Sequence, residues 1–267
     1  MPDMSDLGVN VPIARTFADA ALLLDVMAGN FPGDMYTQPP LPAGESFLGY
    51  ASRPPGRLRI GRTIQPPVEG AEVHPDCVAA YEDASALLSE LGHDVEDVTP
   101  PIGPDVVPFF ETLWYAHATL APIDPAREDL LLPFTRYMRA RGMAVNGAEL
   151  IFAQAYLQAV LSPARAALNA YDAILTPTLA SPPVPVGYFT EVDPAANFER
   201  QKQFTPYTAV YNLSGQPAVN VPLHWTADGL PVGVMLAGRI GDEATLISLS
   251  AQLEAARPWQ HRHPSIW

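Results

Sequence analysis

The sequence predicts an α/β fold in which helices layer onto a mixed, twisted sheet. Three observations carry this. A strand–helix–strand unit spans 58–98, an apolar strand stands at 172–177, and two more strands flank an Asp228-Gly229 turn ahead of a closing helix at 242–256. Strands that alternate with helices pack as layers on one core, and a strand–helix–strand crossover leaves its strands parallel. A tight Asp-Gly turn leaves the following pair antiparallel, so the sheet is expected to be mixed.

The elements follow in chain order. Residues 16–28 read as a helix because Phe17, Ala20, Leu24 and Met27 recur at helical spacing. Thr16 and Asp19 can cap it and Gly29 can stop it. Residues 31–56, rich in Pro and Gly, read as a loop. Residues 58–64 alternate as a strand. Pro75 opens a helix whose buried face is Val78, Tyr81, Ala84, Leu88 and Leu91, and Gly92 ends it before a strand at 93–98. Between 100 and 143 the prolines Pro100, Pro101, Pro104, Pro108, Pro122 and Pro125 break the chain into short helical pieces, one of them the aromatic stretch 109–118. Residues 147–170 read as a longer helix, capped by Asn146 and Glu149 and kinked or broken at Pro163. After the strand at 172–177 comes a stiff loop with Pro182, Pro183 and Pro185, then strands at 217–223 and 231–238. Asp242 caps the last helix, and Leu246, Leu249 and Leu253 face the core.

Composition narrows the function. The chain has 267 residues, 48% hydrophobic and 16% charged, enough apolar material for a sizeable core. Its net charge of −14 is a poor match to nucleic acids or anionic membranes, which call for clustered basic groups. Cys77 is the only cysteine, which rules out an internal disulfide and a cysteine-based zinc site. No apolar run is long enough for a membrane helix, and no secretory leader is recognisable, so a cytoplasmic protein is expected.

Individual candidates are better explained by structure than by chemistry. Lys202, the sole lysine, reads as a solvated side chain. Ser214 lies in a helix-to-strand turn shaped by Gly215 and Pro217 and lacks the nucleophile-elbow pattern. His74, Asp76 and Cys77 read as a helix start with a buried thiol. Asp76 beside Cys77 disfavours a thiolate nucleophile. His93 at a strand entrance needs no role, and His261 and His263 belong to a polar tail.

Three stretches carry a resemblance: PIARTFADAALLLDVMAG from Pro12, YDAILTPTLASPPVPVG from Tyr171, and the segment from Phe204 to about Trp259. The last is the most specific, with Asn212, then Gly215-Gln216-Pro217-Ala218, Gly229-Leu230-Pro231-Val232-Gly233 and Gly241-Asp242-Glu243 in that order. Together they resemble the C-terminal portion of the amidase signature family, and within it bacterial amidases and cyclic-amide-oligomer hydrolases. The resemblance implies a partial amidase-signature-type α/β/α layered fold. It implies one incomplete amidase domain over 1–267, with a helical, cap-like insertion at about 102–170.

The family cleaves amide bonds with a serine nucleophile activated through a second serine and a lysine. A Gly/Ser-rich stretch supplies the oxyanion donors. Here the eleven residues before Pro12 hold no lysine and one serine, Ser5, and no Gly/Ser-rich run occurs. No catalytic residue is therefore carried over, and the chain alone is expected to be inactive. By resemblance, Thr176, Thr178 and Asn212 lie toward the active-site side, and Trp114 is a candidate pocket aromatic. No metal and no cofactor are expected. The expected partners are a small-molecule amide, if the enzyme is completed, and a separate N-terminal half or a second copy. The alternative is a non-catalytic remnant or binding module of amidase origin.

Overall fold

A computed structural model describes residues 7–34, 37–100 and 102–264; Ser5 and Pro101 lie outside them. Five strands form one mixed sheet: β1 (Arg59–Arg62), β2 (Asp94–Asp97), β3 (Ala173–Pro177), β4 (Ala218–Trp225) and β5 (Pro231–Gly238). Their order is β2-β1-β3-β5-β4. β1 runs parallel to both β2 and β3, and β5 is antiparallel to β3 and β4. The α/β architecture with a mixed sheet read from the sequence is thus the one observed.

Each strand pairing has a local cause. Helix α3 (Pro75–Glu90) joins β1 to β2 as the crossover that makes them parallel. It begins at His74, whose ring nitrogen accepts from the Asp76 N–H, with Pro75 already set for the first turn. The β4–β5 hairpin turns at Gly229, whose φ of +81° is a conformation that side chains resist. β4 continues past the predicted end, through a bulge between Val221 and His224, to Trp225. His224 belongs to the strand rather than to the turn.

The main core lies on one face of the sheet. Ile60, Leu175, Val221, Val234 and Leu236 point into it from the strands. Tyr81, Ala84 and Leu88 of α3 and Leu246, Leu249 and Leu253 of α9 (Glu243–Ala256) close it from above. Helix α1 (Phe17–Met27) lies farther out. Phe17 stacks edge-on to Trp259, and its N–H donates to the Glu254 carboxylate. Within the expected 31–56 loop, Ser46 caps a one-turn helix, α2 (Phe47–Tyr50).

The connection from β2 to β3 is helical: α4 (Val107–His117), α5 (Pro133–Ala144) and α6 (Gly147–Leu168), with 3-10 turns at Pro104–Val106 and Pro125–Leu130. The prolines start these pieces instead of shattering them, because a missing N–H costs nothing in a first turn. Pro163 neither breaks nor ends α6. Leu157, Leu161, Ala164 and Leu168 keep one buried stripe on both sides of it, and that burial outweighs the lost backbone bond. The Asn146–Glu149 capping box is present as read. Helix α7 (Pro194–Phe204) escaped the sequence reading, and α8 (Thr208–Ser214) entered it only as the helix ahead of the Ser214 turn.

One reading of a single residue needs correcting. Lys202 is not solvated. Its ammonium lies 2.5 Å from Glu111 on α4 and 2.6 Å from Glu199 one helical turn away, tying α7 to the crossover helices. Burial works against its charge, but these hydrogen bonds win and its pKa is raised. His93 is buried and structural: its Nδ1 accepts from the Leu58 N–H, which leaves Nε2–H to donate to Gln252 at 2.8 Å. Cys77 is buried as expected, and desolvation, reinforced by Asp76, pushes its thiol up to about 11.

Candidate functional site

The strand order dictates where a ligand site can form. From β1 the chain passes to β2 on one side, then returns across β1 to β3 on the other. The strands that follow β1 in the chain thus lie on its opposite sides, and such a switch point leaves a crevice beyond the carboxyl ends of the strands. A shallow cleft of about 40 Å³ opens there. Thr63 and Gln65 enter it just after β1, Val98 and Pro100 just after β2, and Thr176 from the end of β3.

Its floor depends on Gly61. A Cβ at this position would lie 2.9 Å from both the Ile174 Cδ1 and the Val98 Cγ1. With no side chain there, Ile174 and Val98 meet over β1 and give the cleft an apolar base. One wall comes from α8 and the residue before it. The Tyr207 hydroxyl donates to the Ile64 carbonyl at 2.6 Å, and Tyr211 packs with Tyr207, Met235 and Ala237 on the sheet. Burial drives the hydroxyl pKa of both tyrosines far above the ordinary value, so both remain neutral donors.

Thr176 is the unusual residue in this cleft. It is 3% exposed, and its Oγ1 makes no hydrogen bond of acceptable geometry. Its polar neighbour is the Tyr211 hydroxyl, which lies within side-chain hydrogen-bonding reach but outside good hydrogen-bond geometry. A buried hydroxyl without a partner costs free energy, and native proteins seldom retain one without reason. A hydroxyl both donates and accepts, so it complements the two ends of an amide group.

The other expected site residues are placed as follows. Thr178, two residues beyond Thr176, donates its hydroxyl to the Asn220 Oδ1 at 2.6 Å, joining the end of β3 to β4. Asn212 on α8 donates its side-chain amide to the Leu7 carbonyl at 3.0 Å, a tie between two segments. Trp114 on α4 is 37% exposed and stacks between Phe110 and His117, outside the cleft lining. Sequence reasoning missed Tyr207, Tyr211, Thr63 and Gln65. The only available signal was the aromatic pair at i, i+4, which reads equally well as core. Among the described residues, no group of His, Cys, Asp or Glu is arranged to hold a metal ion.

The family model for Amidase matches residues 2–247. The chain belongs to the amidase family. AmiB2 of Mycobacterium tuberculosis, named as an amidase, is 35% identical over 261 residues, covering 97% of this chain and 54% of AmiB2. The 6-aminohexanoate-cyclic-dimer hydrolase of Paenarthrobacter ureafaciens is 30% identical over 275 residues, covering 95% of this chain and 54% of that protein. A solved structure of 6-aminohexanoate cyclic dimer hydrolase superposes with a TM-score of 0.84 at 28% identity, over 95% of this chain and 56% of that one. The chain therefore spans about half the length of the curated relatives it matches. No helix among the described residues is long and apolar enough to cross a membrane.

Proposed function

We propose that this chain forms the substrate-side portion of an amide hydrolase. The supporting observation is the unpaired Thr176 hydroxyl, held in a largely apolar cleft at the strand switch point of an amidase-family fold. Substrate pockets are mostly apolar, with a few placed polar groups, and this cleft has that composition. A small carboxylic amide lies with its polar group at Thr176 and its carbon chain over Ile174 and Val98. Thr178 borders the approach, Asn212 holds the segment at Leu7 in place, and the helical crossover at about 102–170 acts as a cap, with Trp114 on it away from the cleft.

The nucleophile and its base belong to the other portion of the enzyme. Lys202 is engaged by Glu111 and Glu199, which keep it charged and acidic groups around it, the opposite of what a catalytic base needs. Ser214 donates to the Gln216 Oε1 at 3.1 Å inside a buried turn. The test is turnover of 6-aminohexanoate cyclic dimer by this chain, alone and mixed with the unmatched portion of AmiB2. No turnover alone and turnover in the mixture is the expected result. Turnover by the purified chain that disappears in Lys202→Ala would place the chemistry here and refute the assignment.

A further inference from the structure

The cleft holds two tyrosine hydroxyls that are used differently. The Tyr207 proton is committed to the fold, because it goes to the Ile64 carbonyl at 2.6 Å. Tyr211, one helical turn later, lines the same cleft. Its hydroxyl proton meets no acceptor among the described residues.

The contact between Tyr211 and Thr176 has a direction. Although too poorly aligned to make a hydrogen bond, the Thr176 hydroxyl meets the Tyr211 oxygen as a donor, since the contact favours the ionised tyrosine and burial has to outweigh it. Two capacities are left over. One is the lone pairs of the buried Thr176 Oγ1, and the other is the proton of the Tyr211 Oη. An acceptor thus stands beside a donor in a cleft that both residues line.

The rest of the lining decides what can enter. The chain carries 29 Asp and Glu and 15 Lys and Arg, yet none of them lines the cleft. Around the two hydroxyls stand Val98, Ile102, Leu168, Ile174 and Val210. An ammonium or a carboxylate entering here sheds water and gains no counter-charge. The volume of about 40 Å³, against ~30 Å³ for a water molecule in the liquid, fits one small polar group.

We propose that Thr176 and Tyr211 together form a subsite for an uncharged amide group, in which the Tyr211 hydroxyl donates to the carbonyl oxygen and the Thr176 Oγ1 accepts from the amide N–H. This deepens the amide-hydrolase reading above and rests on it for its catalytic meaning. The pair selects on two counts. A carboxylate brings a charge and offers acceptors but no donor. An ester offers a carbonyl but leaves Thr176 with no proton to accept, and a site built to bond an N–H rejects the analogue that lacks it.

Three probes of equal size test this on the full chain: propionamide, methyl acetate and propionate, followed by the NMR shifts of the Thr176 methyl and the Tyr211 ring. Propionamide binds with a Kd of about 1–10 mM, the range open to so small a ligand. Methyl acetate and propionate bind about tenfold or more weakly. Tyr211→Phe weakens propionamide by about tenfold and keeps the melting temperature of the parent, because the lost proton held no bond in the fold. Tyr207→Phe does the opposite: it lowers the melting temperature and leaves the preference for propionamide over methyl acetate unchanged. No shift at about 100 mM propionamide, equal binding of amide and ester, or unaltered propionamide binding by Tyr211→Phe overturns the subsite. Amide turnover by the chain mixed with the unmatched portion of AmiB2 is measured alongside. Turnover that Tyr211→Phe leaves untouched overturns the subsite and leaves the amide-hydrolase reading standing. Selective propionamide binding without turnover in the mixture supports the subsite and overturns that reading.

Discussion

β2 and β4 border the same sheet and share one core, yet they meet their surroundings differently. The outward groups of β2 are carboxylates, each answered by an arginine on β1 or just before it, and Arg62 also reaches Glu82 and Ser85 on α3. β4 has no charged side chain, and its one exposed polar group, Asn220, is drawn back to Thr178. An edge that stays in water is best made polar, because an unpaired backbone row invites aggregation. An edge destined for burial is best left uncharged, because a charge would have to be desolvated on docking. The contrast therefore distinguishes a charge-paired border from an uncharged one.

The largest expected effect separates core from rim along these two strands. Val221 on β4 is fully buried, so Val221→Asp places an unpaired charge in the core and costs about 4 kcal/mol or more. Val95 on β2 is only partly buried against the same core, and Val95→Asp costs about 1–2 kcal/mol. Urea titration of both variants checks this, and equal losses would break the distinction. Next in size is Arg62→Met, which removes two ion pairs, the Ser85 bond and a cation–π contact over Tyr81. The arginine is partly open to solvent, so the expected loss is about 1 kcal/mol, shrinking in high salt.

Smaller still is Ala218→Arg on the β4 side. It should move the stability of the chain alone by no more than about 0.5 kcal/mol, because the position is exposed. A larger loss would mean that β4 already has a partner in the isolated chain. The smallest effect concerns pH. Cys77 on α3 backs the sheet, and burial lifts its thiol from 9.0 to about 11. Between those values the unfolded chain binds fewer protons than the folded one, so stability falls as pH rises from about 9 to 11 and is fully present below that range. Cys77→Ala should flatten this slope. A thiol reagent should leave Cys77 unmodified at pH 8 until the protein unfolds.

The legible parts of the fold were those with local punctuation. Pro75 and Gly92 bracket α3, Asp228-Gly229 marks the hairpin, and Asn146 with Glu149 starts α6; each signal acts within a few residues of the element it shapes. α7 was invisible because only Asn197 and Phe198 of its eleven residues are buried, which leaves no apolar stripe to read. The role of Lys202 was invisible for a different reason: its partner Glu111 is 91 residues away, and only the packing of α7 on the crossover brings them together. The cleft depends on the strand order β2-β1-β3, a long-range property that no window of sequence contains. Thr176 was singled out by resemblance, but its unpaired hydroxyl is a fact of packing alone.

The central claim is that this hydroxyl is kept for a ligand and not for the fold, and Thr176→Val tests it with one denaturation curve. Valine has the same shape and relieves a buried, unpaired polar group, so the variant should be more stable by about 1 kcal/mol. A loss of about 1 kcal/mol instead would show that Thr176 has a structural partner in the folded chain, and the cleft would lose the group on which its assignment rests.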